Sequence, residues 1–426
     1  MTATFDVVSA LDERIADLSP SATLAIQEQA NALIAEGRQV FKLGLGQSPF
    51  PVPLPVIEAL RAHAAEKDYL PVRGLRELRA AVCRYHRMRD AVPRSPDDVL
   101  IGPGSKELMF QLQICFQGEI LIPTPAWVSY APQARIVGRR MRYLHTSADE
   151  SFRLRPETLI EACAGEPGLP RLLVLNYPSN PMAGSYSSKH LVELAEVCRE
   201  HGIIVLSDEI YGELQFDGQH VSLSRYYEEG TIVSSGLSKW CGAGGWRLGT
   251  FTFPRRLRPL LDAMAAVGSE TYSSTSAPIQ YAAVRAFRGG PAIEHYLTCA
   301  RRVLSYLMRW AAAEMRKAGM SVVEPAGGFY LFPDFAPLRD KLVARGILTD
   351  EQLCKEMLDK AGVAALPGTS FGMPSDTMFV RFALVDFDGS RALEAAARGD
   401  VDDAFLRQHL RPTYEAIRAV CDFAGR

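Results

Sequence analysis

Residues 172–209 read LLVLNYPSNPMAGSYSSKHLVELAEVCREHGIIVLSDE. Two short apolar runs, LLVLN and IIVLSDE, bracket a segment in which Leu191, Leu194, Ala195 and Cys198 share one helical face. A serine precedes that segment and Gly202 stands just past its end, which are helix start and stop signals. A third apolar run, TIVSSGLS (231–238), follows. This order of strand, helix and strand predicts parallel strands buried by covering helices. In such sheets ligands bind beyond the carboxyl ends of the strands. Asn176 ends the first strand, Asp208 ends the second and Lys239 follows the third, so three polar groups are expected to converge on one crevice.

The flanks read differently. From about residue 305 onward a helical pattern (LSYLMRWAAAEMRKAG) mixes with strand-like pieces (GGFYLFPDF and MFVRFALV). Residues 1–60 hold a helical stretch, ATLAIQEQANALIAEG, and then an extended one, VFKLGLGQSPFPVP. The expected fold class is α/β: a large domain with a mostly parallel central sheet covered by helices, and a smaller α+β domain built from both chain ends. Its divisions are 1–60 (joining the small domain), 61–300 (large) and 301–426 (small). A chain of 426 residues is long for a single core, in keeping with that division.

Composition narrows the function classes. With 47% hydrophobic and 23% charged residues and a formal net charge of -2, nothing points to nucleic acid as a partner. No apolar run approaches the roughly 20 residues that span a bilayer, so no membrane partner is expected. Eight scattered cysteines include no CxxC pair or zinc-like spacing, and read as reduced thiols. The N-terminal stretch MTATFDVVSALDERIADLSP lacks a basic region followed by an apolar core, so it does not read as a secretory signal. The expected compartment is the cytoplasm.

Lys239 is the only lysine between Lys189 and Lys317, and it sits in SSGLSKWCGAGGWRLG (234–249). A lysine is most often a solvated surface group. Here the surrounding glycines permit close backbone approach to a ligand, and Arg247 offers a planar fork for phosphate or carboxylate. An amine in such a pocket, partly desolvated and beside another cation, can act as a nucleophile.

The run GLSKWCGAGGWRLG resembles, position by position, the pyridoxal-phosphate attachment signature of class I/II aminotransferases of fold type I, in the aspartate aminotransferase superfamily. The rest of that family's order follows from about residue 20 to residue 385. The resemblance implies that Lys239 carries the cofactor as an internal aldimine. It implies that Asp208, in SDEIYGEL, faces the pyridine nitrogen, where its carboxylate keeps the ring able to accept an electron pair. Tyr211 and Asn180, from NYPSNP, would donate to the 3'-oxygen; without the resemblance, Ser-Asn-Pro is simply a turn signal. Gly104, Ser105 and Lys106 of IGPGSKEL open a predicted helix whose free N–H groups suit an anion, and with Ser238 and Arg247 they would form the phosphate cup. Trp127 of PTPAWVSY would stack on the ring; otherwise it reads as a core or interface tryptophan.

On the substrate side the resemblance assigns Arg381 to the α-carboxylate as a bidentate clamp. Alternation in MFVRFALVD puts Arg381 opposite Val380 and Phe382, a face that could equally meet solvent. Gly46 and the pair Phe329 and Tyr330 match the elements lining the substrate side. Tyr69 matches the tyrosine that reaches the neighbouring subunit's phosphate, which implies a homodimer with shared active sites. The implied activity is transfer of an amino group between an L-α-amino acid and a 2-oxo acid by a ping-pong route, catalysed through Lys239, Asp208 and Tyr211. Lyases, synthases and oxidase-type relatives share the same constellation, and the motifs do not choose among them. The sequence departs from the pattern at Gly236, where many relatives have Ser or Thr, and at Met182 and Ala183 in place of Thr-Gly. It leaves the amino donor and the acceptor open, and the polar segment after Arg381 has no assigned role.

Overall fold

The computed structural model describes residues 11–16 and 18–425. The part of the N-terminal stretch formed by residues 1–10 and 17, read above as free of a secretory signal, lies outside them. Twelve strands occur among the described residues: β1 (Phe41–Lys42), β2 (Val99–Gly102), β3 (Glu119–Thr124), β4 (Met141–His145), β5 (Arg171–Asn176), β6 (Ile204–Asp208), β7 (Thr231–Gly236), β8 (Gly249–Thr252), β9 (Tyr330–Leu331), β10 (Val363–Ala364), β11 (Leu366–Pro367) and β12 (Val380–Ala383).

Seven of them form the central sheet in the order β2-β8-β7-β6-β5-β3-β4. Pairing is parallel from β4 through β3, β5, β6 and β7, and only β8 runs against its neighbours. The two-residue period divides each central strand between two packed layers. Leu172 and Val174 of β5 join Leu206, Ile232 and Phe251 on one face. Leu173 and Leu175 join Val205 and the Leu191, Leu194 and Cys198 stripe of the helix Ser188–Glu200 on the other. Both faces are therefore covered, as the near-continuous apolar runs require.

Register sets up the chemistry. Asn176 pairs with Asp208 and Asp208 with Ser234, so the carboxyl ends of three adjacent parallel strands carry one transverse polar row.

The two chain ends do meet. β1 pairs in parallel with β10, and Ala383 of β12 donates its N–H to the carbonyl of Leu43 at 2.8 Å. The helix Pro291–Lys317 is continuous through residue 300, so the division expected there falls inside it. The polar segment after Arg381 becomes helices. Asp388 caps Gly389–Ala396 by accepting from the N–H groups of Ser390 and Arg391 at 3.1 Å, and Asp402 caps Asp403–His409. Gly389 touches the 49–50 loop so closely that a Cβ would lie 2.1 Å from the carbonyl oxygen of Pro49. That segment packs against the 49–50 loop.

Ala183 closes its turn in the left-handed region (φ +58) without a glycine. Hydrogen bonds from the Ser179 N–H to the carbonyl of Gly184 (2.9 Å) and from the Ala183 N–H to that of Ser179 (2.9 Å) hold it. The departure from Thr-Gly leaves the turn intact.

Candidate active site

A cavity of about 440 Å³ opens at the carboxyl ends of β5, β6 and β7. Asn176, Asn180, Asp208, Tyr211, Ser238, Lys239, Arg247, Ser105, Lys106, Trp127, Gly46, Tyr330 and Arg381 all line it. Thr23 and Leu24, at the start of the helix Ala22–Ala35, also line it, and nothing in the sequence pattern had pointed to them.

Lys239 is half-buried. Its Nζ donates to the carbonyl of Gly46 at 2.7 Å and lies 5.5 Å from the ring centroid of Tyr211 and 5.8 Å from that of Phe329. It makes no ion pair with a carboxylate among the described residues. Among the described residues the amine thus has a backbone carbonyl and two ring faces as its neighbours, at the mouth of a cavity that can admit a carbonyl compound.

Asp208 is 3% exposed. It accepts from the hydroxyl of Tyr130 at 2.6 Å (Oδ2) and from that of Ser234 at 3.2 Å (Oδ1). Burial pushes its carboxyl up to about 6, against these two donors and the N–H of Ile210. Neither Tyr130 nor Ser234 was singled out from the sequence. Ser234 follows from register, and Tyr130 stands three residues after Trp127, one helical turn on in PTPAWVSY.

Asn176 is a strut. Its Nδ2 donates to the backbone carbonyl of Asp208 at 2.8 Å and its Oδ1 accepts from the N–H of Asn180 at 2.8 Å, tying the NYPSNP turn to β6. Asn180 in turn accepts from Nη1 of Arg381 at 3.2 Å. Arg381 is 1% exposed, so the face opposite Val380 and Phe382 is a cavity wall and not solvent. Its other Nη donates to the carbonyl of Gly44, its guanidinium lies over the rings of Tyr330 (4.7 Å) and Phe371 (5.0 Å), and its Nε has no partner among the described residues. Burial lowers its pKa, yet an arginine keeps its charge. A buried, charged and incompletely bonded fork is suited to a carboxylate.

Tyr211 shares a hydrogen bond of 2.9 Å with the hydroxyl of Tyr330. Burial holds its phenol well above the ordinary value. Gly46 is required here, because a Cβ would lie 1.8 Å from the Tyr330 hydroxyl.

At the opposite end Ser105, Lys106, Ser238 and Arg247 gather at the start of the helix Ser105–Cys115. Arg247 adopts φ +54, and its Nη1 donates to the carbonyl of Gly244 at 2.8 Å. Nζ of Lys106 lies 5.0 Å from the ring centroid of Trp127. Two cations, two hydroxyls and a helix N-terminus make a site for an anion such as phosphate. Gly236 does not line this cavity. It ends β7 opposite Gly249, and a Cβ would meet the carbonyl oxygen of Leu248 at 2.7 Å, so a larger residue does not fit this backbone. The hydroxyls of the anion site come from Ser105 and Ser238 instead. Tyr69 stands apart, 90% exposed and outside the cavity of its own chain.

Gly104 is a tight point of the cradle. Its φ is +96 and a Cβ would lie 2.3 Å from Nη2 of Arg247. At φ 96 and ψ 150, a region essentially confined to glycine, Gly104→Ala is expected to cost about 1–3 kcal/mol through the backbone alone and to displace Arg247 in addition. Gly168→Ala, at φ +83 with nothing within 4 Å, is the control for the backbone cost. Denaturant titration of both variants checks this, and equal losses would mean that the cradle is loose.

The sequence matches the family described as aminotransferase class I and II over residues 38–392. It is 31% identical over 376 residues to an aspartate aminotransferase of Bacillus subtilis (strain 168), covering 86% of this chain and 93% of that one. A bifunctional aspartate aminotransferase and glutamate/aspartate-prephenate aminotransferase of Petunia hybrida is 34% identical over 382 residues, covering 86% of this chain and 78% of that protein. Among solved structures, an aspartate aminotransferase from Thermus thermophilus with maleate matches with a TM-score of 0.82 at 27% identity, covering 96% of this chain and 99% of that chain.

Proposed function

This chain belongs to the class I and II aminotransferases, and on that premise we propose that it moves an amino group between an L-α-amino acid and a 2-oxo acid, with pyridoxal 5'-phosphate as cofactor. The observation that carries the reading is the meeting of Lys239, Asp208, the anion cradle and the Arg381 fork in one cavity.

The residues fit the cofactor. Ser105, Lys106, Ser238 and Arg247 would hold its phosphate, and Asp208, the only carboxylate lining the cavity among the described residues, would face its ring nitrogen. Tyr211 and Asn180 supply donors for its phenolic oxygen. Bound there, pyridoxal phosphate supplies a carbonyl that condenses with amines and a cationic ring that accepts an electron pair. Lys239 would anchor it and, as a free amine, would take the substrate's α-proton at Nζ and hold it for delivery elsewhere than the carbon it left. Arg381 binds the α-carboxylate and thereby fixes which substrate bonds face the ring. The wall of Tyr211, Phe329 and Tyr330 keeps water from the lysine side.

The chain works as two units in this proposal: residues 61–300 hold the cofactor, and the two ends form the substrate side. The exposed Tyr69 is assigned to the phosphate of a second copy in a homodimer, which a molar mass in solution checks. All eight cysteines are unpaired, which supports a reducing, cytoplasmic setting.

Two half-reactions leave a kinetic signature. With an amino donor alone, the enzyme is expected to release at most one equivalent of 2-oxo acid per site, and continued turnover should require a 2-oxo acid acceptor, with parallel double-reciprocal plots. Steady ammonia release without an acceptor would instead favour lyase or oxidase chemistry.

A further inference from the structure

We propose that Tyr130 is a positioning residue for Asp208: its phenol keeps the carboxylate charged and held in place where the cofactor's ring nitrogen would meet it. The proposal rests on the pyridoxal phosphate reading above, and its first test needs neither cofactor nor turnover.

Four observations carry it. The Tyr130 hydroxyl reaches Oδ2 of Asp208 at 2.6 Å, the shorter of the two side-chain bonds, while Ser234 reaches Oδ1 at 3.2 Å. A short bond from a neutral donor to a carboxylate is of the stronger, charge-assisted kind. Tyr130 is 3% exposed, and burial together with the adjacent Asp208 charge holds its phenol well above the ordinary value. Its proton therefore stays on the oxygen, and towards Asp208 the phenol can only donate. The Trp127 ring packs against the Tyr130 ring edge-on at 5.2 Å between centroids and 81°, which fixes the direction of the hydroxyl.

The other groups near the carboxylate do not replace it. Glu209, next in the chain, adds like charge that opposes ionisation, although its own carboxylate is bound by His220, Ser207 and Ser222. Tyr211 follows in the next turn with its hydroxyl engaged by Tyr330. Asn176 bonds the backbone carbonyl of Asp208 and not its carboxylate. Lys239 lines the same cavity, but its Nζ is bound to Gly46. Without Tyr130, a fully buried carboxylate would keep one side-chain donor at 3.2 Å and the Ile210 N–H.

The test is Tyr130→Phe in the full-length chain. Stability of the cofactor-free protein is measured against pH, with Asp208→Asn as the reference that lacks the titration. A carboxyl raised by burial stabilises the fold below its unfolded value, and that contribution is lost as pH rises through its folded value. In the unsubstituted protein the decline relative to Asp208→Asn should end near pH 6. In Tyr130→Phe it should continue about one to two pH units higher, the equivalent of one hydrogen bond to a charged group. In the holoenzyme the acid limb of the half-reaction with an amino donor should move up in parallel.

A merely structural tyrosine would lower stability equally at every pH and leave the midpoint in place, which overturns the proposal. If Tyr130→Phe does not fold, Ser234→Ala decides. A midpoint moved by less than about half a pH unit supports Tyr130 as the principal donor, and a shift of one unit or more assigns that role to Ser234. Loss of the transaminase reading would appear separately, as turnover of the unsubstituted enzyme without an acceptor.

Discussion

Lys239→Ala is expected to fold normally and to lose transamination by on the order of 10⁴-fold or more. A positioned general base alone contributes about 10²–10⁴-fold, and this lysine has a covalent role in addition. The fold should tolerate the change because, among the described residues, Nζ bonds the Gly46 carbonyl, lies near two ring faces and makes no ion pair. The thermal midpoint should therefore stay close to that of the unsubstituted protein while kcat collapses. Small primary amines added to the variant should restore part of the proton transfer, in proportion to their free-base concentration. Transamination by Lys239→Ala at an undiminished rate would falsify the proposed function.

Asp208→Asn should pull stability and activity in opposite directions. The buried carboxyl is pushed up to about 6 from the 3.8 of an ordinary aspartate, so in the absence of cofactor its ionised form costs the fold free energy. Roughly two pKa units correspond to about 3 kcal/mol. The sign follows from linkage: the raised group favours folding below its unfolded value, and the contribution disappears as pH rises through about 6. The cofactor-free Asn variant should thus be more stable than its parent by up to about 3 kcal/mol at pH 7–8, and little different near pH 4. A neutral amide can still accept from Tyr130 or Ser234, so the packing survives. Turnover should nevertheless fall by on the order of 10²–10³-fold or more, as for loss of one preorganised electrostatic contact. Chemical denaturation at several pH values beside a half-reaction assay separates the two effects. Equal stability of both proteins at pH 8 would mean that Asp208 is not strained by burial.

This opposition explains why an active site carries a carboxylate where the fold would do better without one. Strained electrostatics of this kind are maintained by the surrounding structure for the benefit of a bound group.

Much of the fold was legible because parallel strands buried on both faces leave an unmistakable apolar run, and a helix with one buried stripe leaves another. Residues 172–209 carry both, and the strand, helix and strand they predict are β5, Ser188–Glu200 and β6. The polar residues ending β5 and β6, and Lys239 beyond β7, meet in one cavity for the same topological reason. β9 lies within the strand-like GGFYLFPDF and β1 within the extended VFKLGLGQSPFPVP, whereas β10 and β11 left no signal, since two residues carry no period.

Local pattern marks the side chains expected to bring chemistry: an isolated lysine among glycines, an aspartate at a strand end, an arginine in an apolar strand. How they are held depends on long-range packing. Strand register placed Ser234 beside Asp208, the helix that follows β3 brought Tyr130 to the same carboxylate, and pairing of the chain ends turned the Arg381 face from solvent into a cavity wall. Contacts between residues 26, 78 and 201 positions apart depend on how sheet and loops pack, and a local pattern carries no record of that distance. Gly236 illustrates the limit. In the sequence it is a missing hydroxyl, whereas in the fold it is the space that β7 and the Leu248 carbonyl need.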